Sequence, residues 1–240
     1  MTIRLSRLAL LAAAFLAAAC GPKVETNADV FERYRPKIVA KREAIAATLE
    51  QAPKLKLKPI VGARKPSFIK RGDMVSFTNV SFIEVDTFKG GIMELPDVYI
   101  ETYSPLDRVF DWLEYPIGYS PEGKAADYRV ADEIEEGLAS PYVAFYQQTA
   151  YVAPEYKSQD EYGPGGVRFD VILIELAQNA AVAACDVMVM SSDTLTYETS
   201  KGLETVSWES ALRRDLAENA MREIGKCFAD QTGGEFVFGS

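Results

Sequence analysis

The first 20 residues constrain this chain more than any other feature. A short start carrying Arg4 and Arg7 is followed by an unbroken apolar run at residues 8–19 and then by Cys20. A basic start, a short apolar core and small residues at a processing point are typical of a secretory signal. The run is shorter than the roughly 20 apolar residues that a membrane-spanning helix needs. We therefore expect residues 1–19 to be removed and to take no part in the fold.

Three alanines stand directly before Cys20, and Gly21 follows it. This arrangement resembles the signal of bacterial lipoprotein precursors, although Ala17 occupies a position where that family usually has Leu. The resemblance covers about the first 20 residues. It implies that Cys20 is acylated, palmitate being one expected chain, and that residues 20–27 tether the protein to a membrane, which two or three acyl chains do stably. Because residue 21 is not Asp, it also implies the outer membrane, facing the periplasm. The alternative is an ordinary secretory signal or an N-terminal helix.

Two cysteines remain once Cys20 is acylated, Cys185 and Cys227. An even number of cysteines in an oxidising envelope favours a disulfide. Cys185 shares strand parity with Val187 and Val189, and Cys227 continues the apolar stripe of a C-terminal helix. Both side chains therefore point at a core, where a bridge would join the helix to a sheet. The alternative is two buried free thiols.

The chain contains no histidine, which excludes several kinds of enzyme. Ser-His-Asp and Cys-His hydrolases need this residue, as do His-ligated zinc and haem. Ser67 and Lys70 match the Ser-x-x-Lys element of penicillin-binding enzymes, but the companion motifs are missing and the context is strand-like. No spacing indicates a metal, so we expect neither a metal site nor a cofactor. Catalysis stays undecided, and we favour a protein that is not an enzyme.

Carboxylates are dense on one predicted helix, at Asp132, Glu133, Glu135 and Glu136. These positions spread around much of a helix, so a solvated face is the better interpretation than an acid/base pair. Glycoside cleavage needs only two carboxylates, so an enzyme acting on cell-wall glycan remains an alternative.

Charge is divided unevenly along the chain. Residues 20–71 carry 13 Lys and Arg against 5 Asp and Glu, whereas residues 72–240 carry 11 against 30. Basic groups gain free energy near anionic headgroups, so this division could orient the acidic body away from the membrane. Alternatively, the basic segment folds back on the acidic body. An acidic chain of this kind is not expected to bind nucleic acid.

Periodicity predicts the helices. An apolar stripe indicates a helix over residues 27–51, kinked or divided at Pro36, and shorter helices are indicated over residues 104–114 and 127–138. The pattern that ends near Phe228 predicts a long C-terminal helix over residues 207–228.

Strands separate these helices. Strand-like runs occupy residues 54–58, 74–88, 92–103, 142–152, 167–176, 182–191 and 235–238. In residues 74–88 the apolar positions change parity near Asn79, a phase slip that indicates a bulge or a tight turn. The alternating Lys and Leu of residues 54–58 predict an exposed edge strand, and Gly90 and Gly91 predict a hairpin. The order of elements indicates an α+β fold, an antiparallel-rich sheet of about five or six strands on which the N-terminal helix, two short middle helices and the long C-terminal helix pack. Residues 28–240 are expected to form one domain, of which 28–71 is basic and could be a separate membrane-proximal segment.

Tyrosines are concentrated in one part of the chain, with 10 of the 12 between Tyr99 and Tyr162. Tyr142, Tyr146 and Tyr151 could form a surface for a small ligand, although tyrosine is also a common strand residue. The hypothesis that we favour is a lipid-anchored envelope protein that binds a protein partner or an envelope polymer such as peptidoglycan. The alternatives are the carboxylate-dependent enzyme and the small-ligand binder.

Overall fold

The computed structural model describes residues 25–51, 56–62, 64–71, 74–89, 97–100, 105–114, 128–158, 161–193 and 208–239. They form an α+β fold, as the sequence predicted. The helices are α1 Asn27–Gln51, α2 Val85–Phe88, α3 Pro105–Glu114, α4 Tyr128–Leu138 and α5 Trp208–Thr232. The strands are β1 Ser67–Arg71, β2 Met74–Thr78, β3 Val80–Glu84, β4 Tyr142–Val152, β5 Tyr156–Ser158, β6 Glu161–Tyr162, β7 Gly166–Glu175, β8 Ala180–Met190 and β9 Glu235–Gly239.

A four-stranded sheet in the order β3-β4-β7-β8 forms the centre. Strands β3 and β4 are parallel, and the other neighbours are antiparallel. Helices α1, α3 and α4 contribute to the core on one face. Helix α5 and a second sheet, in the order β2-β1-β9, contribute to the core on the other face. The predicted strands are therefore divided between two main sheets, and β5 pairs with β6 in a small separate hairpin.

Burial along the strands follows from these two covering layers. In β7, Val167, Phe169 and Val171 are buried while Arg168 and Asp170 are exposed, because only the face toward α5 is covered there. The first five residues of β4, at positions 142–146, are all buried since helices and strands cover both faces at that end. The exposed face of the sheet is consequently limited to the second half of β4 and its neighbours.

The phase slip at Asn79 is where the chain passes from one sheet to the other. Asn79 accepts a hydrogen bond from the backbone N–H of Ser67 at 2.7 Å and donates one to the carbonyl of Lys65 at 2.9 Å. Its own N–H donates to the Ser67 carbonyl at 3.0 Å. These bonds hold the junction, so β2 pairs with β1 while β3 pairs with β4.

Helix α1 begins with a reciprocal cap. The N–H of Asp29 donates to the Thr26 hydroxyl at 3.2 Å, and the N–H of Thr26 donates to the Asp29 carboxylate at 3.0 Å. The helix continues through Pro36 to Gln51 as one element. Four residues of the predicted apolar stripe are buried, namely Phe31, Ile38, Ile45 and Leu49.

Two strand predictions differ from the structure. Residues 56–58 of the strand predicted for 54–58 form no strand, and the Lys58 N–H bonds to the Ala181 carbonyl at 2.8 Å at the end of the central sheet; residues 54 and 55 fall outside the described residues. Residues 97–100 also lie outside any strand, and the rest of the strand predicted for 92–103 falls outside the described residues, as does the hairpin at Gly90 and Gly91.

Helix α5 packs closely against β9. A Cβ atom placed on Gly225 would lie 2.4 Å from the Phe238 ring, so only glycine permits this approach. Within the described ranges, no helix combines the length and apolarity that a membrane span requires.

Candidate functional site

Strand β8 is the outer strand of the central sheet, and its side chains alternate strictly over residues 184–190. Cys185, Val187 and Val189 are buried in the core to which α5 contributes. The alternate residues Ala184, Asp186, Met188 and Met190 are exposed on the opposite face. Strand β8 therefore presents an exposed side-chain face, and no strand in the described ranges pairs with its outer backbone edge.

Two side chains of α5 bind the outer edge of β8. Gln231 accepts a hydrogen bond from the Ala184 N–H at 3.1 Å and donates one to the Ala184 carbonyl at 2.9 Å. Farther along, Asn219 donates to the Met190 carbonyl at 3.1 Å. These amide side chains take the place of a neighbouring strand at residues 184 and 190, which protects the edge there.

Residues 186 and 188 form an open section between these two contacts. In a strand, the N–H and C=O of alternate residues point in the same direction, so Asp186 and Met188 direct theirs outward as Ala184 does. No residue in the described ranges bonds to these outward groups. Within the part of the chain that the structure describes, the open section therefore leaves two backbone donors and two backbone acceptors without a partner.

A groove of about 330 Å³ lies beside this open section, between β8 and α5. From β8 come Met188, Val189 and Met190, and from α5 come Asn219, Arg222, Glu223 and Lys226. Met188 is 66% exposed and Met190 is 46% exposed, so flexible apolar side chains line the strand side. The helix side is polar, with Lys226 paired to Glu223 at 2.6 Å.

An ion pair crosses the exposed face of the sheet next to the groove. Arg168 of β7 donates from Nε to Asp186 at 2.7 Å and also from Nη2 to the second carboxylate oxygen. The hydrogen bonds from Arg168 lower the pKa of Asp186 and hold that carboxylate ionised. Val152 is 54% exposed on the same face. The surface thus combines exposed apolar side chains with a charge pair that is satisfied internally.

A disulfide joins the two walls of the groove. Cys185 of β8 and Cys227 of α5 are bonded at an S–S distance of 2.03 Å, with their Cα atoms 6.3 Å apart. This bridge confirms the pairing predicted from the inward parity of both cysteines. Because it links β8 directly to α5, it sets the separation between the open edge and the helix.

The structure places the predicted tyrosine surface largely inside the protein. Tyr142 and Tyr146 are essentially fully buried, and Tyr151 is partly buried against the same core. The Tyr142 hydroxyl donates to the Arg64 carbonyl at 2.6 Å, and burial raises the pKa of both Tyr142 and Tyr146. The prediction that Tyr142 and Tyr146 form an exposed binding surface is therefore wrong, because β4 is a central strand covered on both faces at that end.

A cluster of carboxylates and tyrosines lies at the start of α3. Asp107 is half-buried, and its desolvation, with the nearby charge of Asp111, raises its pKa to about 7. Burial raises the pKa of Tyr99 as well, and the charges of Asp107, Asp111 and Glu84 add to the effect. Asp107 can therefore hold or release a proton near neutral pH. The sequence offered only the spacing of Asp107 and Asp111, one helical turn apart, as a signal.

The other motifs have structural roles. Ser67 begins strand β1, which is not the helix start that a Ser-x-x-Lys nucleophile occupies. On α4, Asp132 and Glu136 are exposed, Glu133 pairs with Arg108 at 3.2 Å and Glu135 accepts a hydrogen bond from Tyr34. These carboxylates form the solvated face that the sequence predicted. Across the described ranges, no cluster of three metal-ligating side chains is present.

Cys20 lies outside the described residues, so its predicted acylation stays a prediction. The open edge of β8 is the feature that sequence reasoning missed. The alternation of exposed and buried residues over positions 184–190 was visible, but not which strand lies at the edge of the sheet.

Comparison with known proteins does not assign this chain to a family. No family model matches it, and no curated protein matches it. A solved structure with some similarity is that of protein XCC0632 from Xanthomonas campestris, of family DUF330. That match covers 74% of this chain and 93% of the other, with 11% sequence identity and a TM-score of 0.28. The fold and the site together define an α+β domain with a partly open sheet edge.

Proposed function

We propose that this chain is a lipid-anchored protein of the bacterial cell envelope that binds a partner protein through the open section of β8. Residues 1–19 serve as the signal, and Cys20 carries the acyl chains that hold the protein at the outer membrane, facing the periplasm. The Cys185–Cys227 disulfide supports this location, because such bonds persist in oxidising compartments.

The observation that carries the binding proposal is the pair of outward backbone positions at Asp186 and Met188. Proteins recognise extended peptides by adding a strand to a sheet edge, where main-chain hydrogen bonds supply affinity and side-chain contacts supply specificity. An added strand would satisfy the two donors and two acceptors between the Ala184 and Met190 contacts. This geometry favours an extended segment of a protein over a glycan, since a glycan has no matching row of amide groups.

Side chains around the open section define the partner further. Alternate side chains of an added strand would point to the two faces of the sheet. Those on one face would contact Met188 and Met190, which suit apolar residues. Those on the other face would meet the groove beside Arg222 and Lys226, which suit a polar or acidic residue. We therefore propose a partner segment in which apolar and polar residues alternate.

Photo-crosslinking tests the binding site. A photo-crosslinking residue at Met190, in cells, is expected to give a discrete adduct with an envelope protein. The same residue at exposed Glu136 on α4 serves as the control position and should give no such adduct.

A pair of substitutions then tests whether the edge backbone is responsible. Met188→Pro removes an outward N–H but no bond to β7, whereas Met188→Ala keeps that N–H. The adduct at position 190 should disappear with Met188→Pro and remain with Met188→Ala. An adduct that persists with Met188→Pro, while the variant's thermal midpoint matches wild type, would contradict strand addition.

The anchor is tested separately by Cys20→Ser. The wild-type protein should incorporate labelled fatty acid and fractionate with membranes, while Cys20→Ser should incorporate none and retain the unprocessed signal. Processing and membrane association that are unchanged in this variant would show that Cys20 is not acylated.

A second candidate function rests on Asp107, whose pKa of about 7 suits a general acid. The protein would then be a carboxylate-dependent enzyme acting on cell-wall glycan, with Asp111 as the second carboxylate. Release of soluble fragments from purified peptidoglycan should be abolished by Asp107→Asn and unaffected by Asp132→Asn on the solvated face of α4. No release by the wild-type protein would remove this candidate.

A further inference from the structure

A basic segment is fastened to one end of the central sheet. We call residues 56–62 and 64–66 the strap. The Lys58 N–H donates to the Ala181 carbonyl at 2.8 Å, the Gly62 N–H donates to Glu175 at 2.8 Å, and the Tyr142 hydroxyl donates to the Arg64 carbonyl. Glu175 is only 2% exposed, and its second oxygen accepts from the Val61 N–H at 3.3 Å. Buried groups of the body therefore hold the strap in one conformation.

The strap lies in the most basic part of the chain. Residues 52–71 contain seven Lys and Arg and no Asp or Glu, while α1, residues 27–51, carries five basic and four acidic side chains. The positive excess noted in the sequence is thus concentrated here. Four cations of the strap are exposed, and none forms an ion pair with a described residue: Lys56, Lys58, Arg64 and Lys65. Among the residues that the structure describes, the acidic body therefore does not neutralise these four cations through ion pairs.

Two apolar side chains stand exposed among these cations. Val61 is 71% exposed and Leu57 is 53% exposed, whereas Ile60 between them packs against the core. The strap therefore turns one apolar residue inward and two outward. Exposed apolar groups flanked by lysine and arginine are the combination that binds the interface of an anionic membrane, where apolar groups enter the acyl boundary and cations meet phosphates.

We propose that the strap is a second membrane contact, which docks on anionic phospholipid headgroups. Charge complementarity selects this occupant, because residues 72–240 carry a net charge of −19 and would be repelled by the same surface. The proposed lipid anchor only brings the protein to a membrane, and docking of the strap requires no acyl chain.

The strap and the anchor are separate points on the chain. Helix α1 has 25 residues and spans about 36 Å at 1.5 Å per residue. The five steps from Gln51 to Lys56 cover at most about 18 Å, so the strap begins roughly 18 Å or more from the start of α1. Contact at both points would fix the orientation of the domain on the membrane, which attachment at one point alone would not do.

Vesicle sedimentation tests this inference on the mature chain carrying Cys20→Ser, with its disulfide intact. Vesicles of phosphatidylcholine with about one third phosphatidylglycerol should bind the protein, and pure phosphatidylcholine should not. Each basic group contributes about a fivefold factor in affinity. The fourfold variant K56Q/K58Q/R64Q/K65Q should therefore bind at least 100-fold more weakly, whereas R33Q/K37Q/R213Q/R214Q, which removes four exposed cations elsewhere, should lose less than fivefold.

The apolar residues distinguish a membrane from a soluble polyanion. L57S/V61S should weaken vesicle binding about tenfold and leave any binding to soluble polyphosphate unchanged. Equal binding to the two vesicle types, equal losses in the two fourfold variants, or binding to polyphosphate without binding to vesicles would each overturn the inference. If the strap variant does not fold by circular dichroism, K56Q and K58Q singly should each cost about fivefold. Because the protein is not acylated in this assay, its result is independent of the Cys20 test.

Discussion

Removing the Cys185–Cys227 disulfide should destabilise the protein and loosen its candidate binding site together. The bridge joins residues 42 positions apart and ties β8 to α5. Cross-linking restricts the unfolded chain, and a closed loop of about 40 residues corresponds to about 4 kcal/mol in the chain-entropy account. Domains are stable by roughly 5–15 kcal/mol, so this bond contributes a large share of the total.

The double variant C185A/C227A is the perturbation, and reduced wild-type protein is its control. Reduction removes the cross-link and keeps both sulfur atoms, whereas the double variant also removes packing at Cys185, which is 7% exposed. We expect both to be less stable than the oxidised protein, with the double variant lower by about a further 1 kcal/mol, as for loss of a small buried group.

Urea unfolding followed by circular dichroism measures the effect. With a slope of about 2 kcal/mol per molar urea, a loss of about 4 kcal/mol lowers the midpoint by about 2 M. The adduct formed at Met190 should weaken in the same variant, because the walls of the groove are no longer joined. A midpoint within about 0.5 M of the oxidised protein, or labelling of both thiols in the denatured, unreduced protein, would refute this reasoning.

Three further predictions follow from single contacts. The pKa of Asp107 in the folded state, about 7, lies above its ordinary value of 3.8, so folding favours the protonated form and stability falls as pH rises from 4 through 7. Asp107→Asn should therefore raise the free energy of unfolding at pH 8 by up to about 4 kcal/mol, measured as a higher urea midpoint, and leave it unchanged at pH 4. A gain of equal size at both pH values would contradict the shift. Gly62→Ala places a Cβ 2.5 Å from Glu175 Oε1 and should destabilise the protein by about 2 kcal/mol in thermal unfolding, whereas Ala substitution of exposed Glu50 should change little. Tyr142→Phe removes the donor to the Arg64 carbonyl, so a loss of about 1 kcal/mol and faster amide exchange at the Gly62 N–H are expected, and unchanged exchange would contradict a fastening role.

Local patterns were sufficient to predict most elements of this fold. The alternation in β7 and β8 follows the two-residue period of a strand, and the apolar stripes of α1 and α5 follow the period of a helix. Both periods can be recognised from residues that are close together in the sequence. The disulfide was predictable for the same reason, since Cys185 and Cys227 each lie on the inward face of their own element. The phase slip at Asn79 likewise showed that two strands meet there.

Predictions failed where the decisive neighbour is distant in the sequence. The alternating Lys and Leu near residue 56 resemble a strand, but the Lys58 N–H bonds to the carbonyl of Ala181, more than 100 positions away. Tyr142 and Tyr146 resemble a half-exposed pair, but β4 became a central strand between β3 and β7. Periodicity describes one element and carries no information about how many layers cover it.

The sequence by itself therefore determined most of the elements, the inward direction of the two cysteines and the concentration of positive charge that contains the strap, and it predicts a signal before Cys20. Only the tertiary structure decided which strand stands at the sheet edge, how desolvation and the charge of Asp111 raise the pKa of Asp107 to about 7, and how the strap is fastened with Val61 exposed. The physical reason is that hydrogen-bond partners, burial and desolvation depend on groups that the fold brings together from distant parts of the chain.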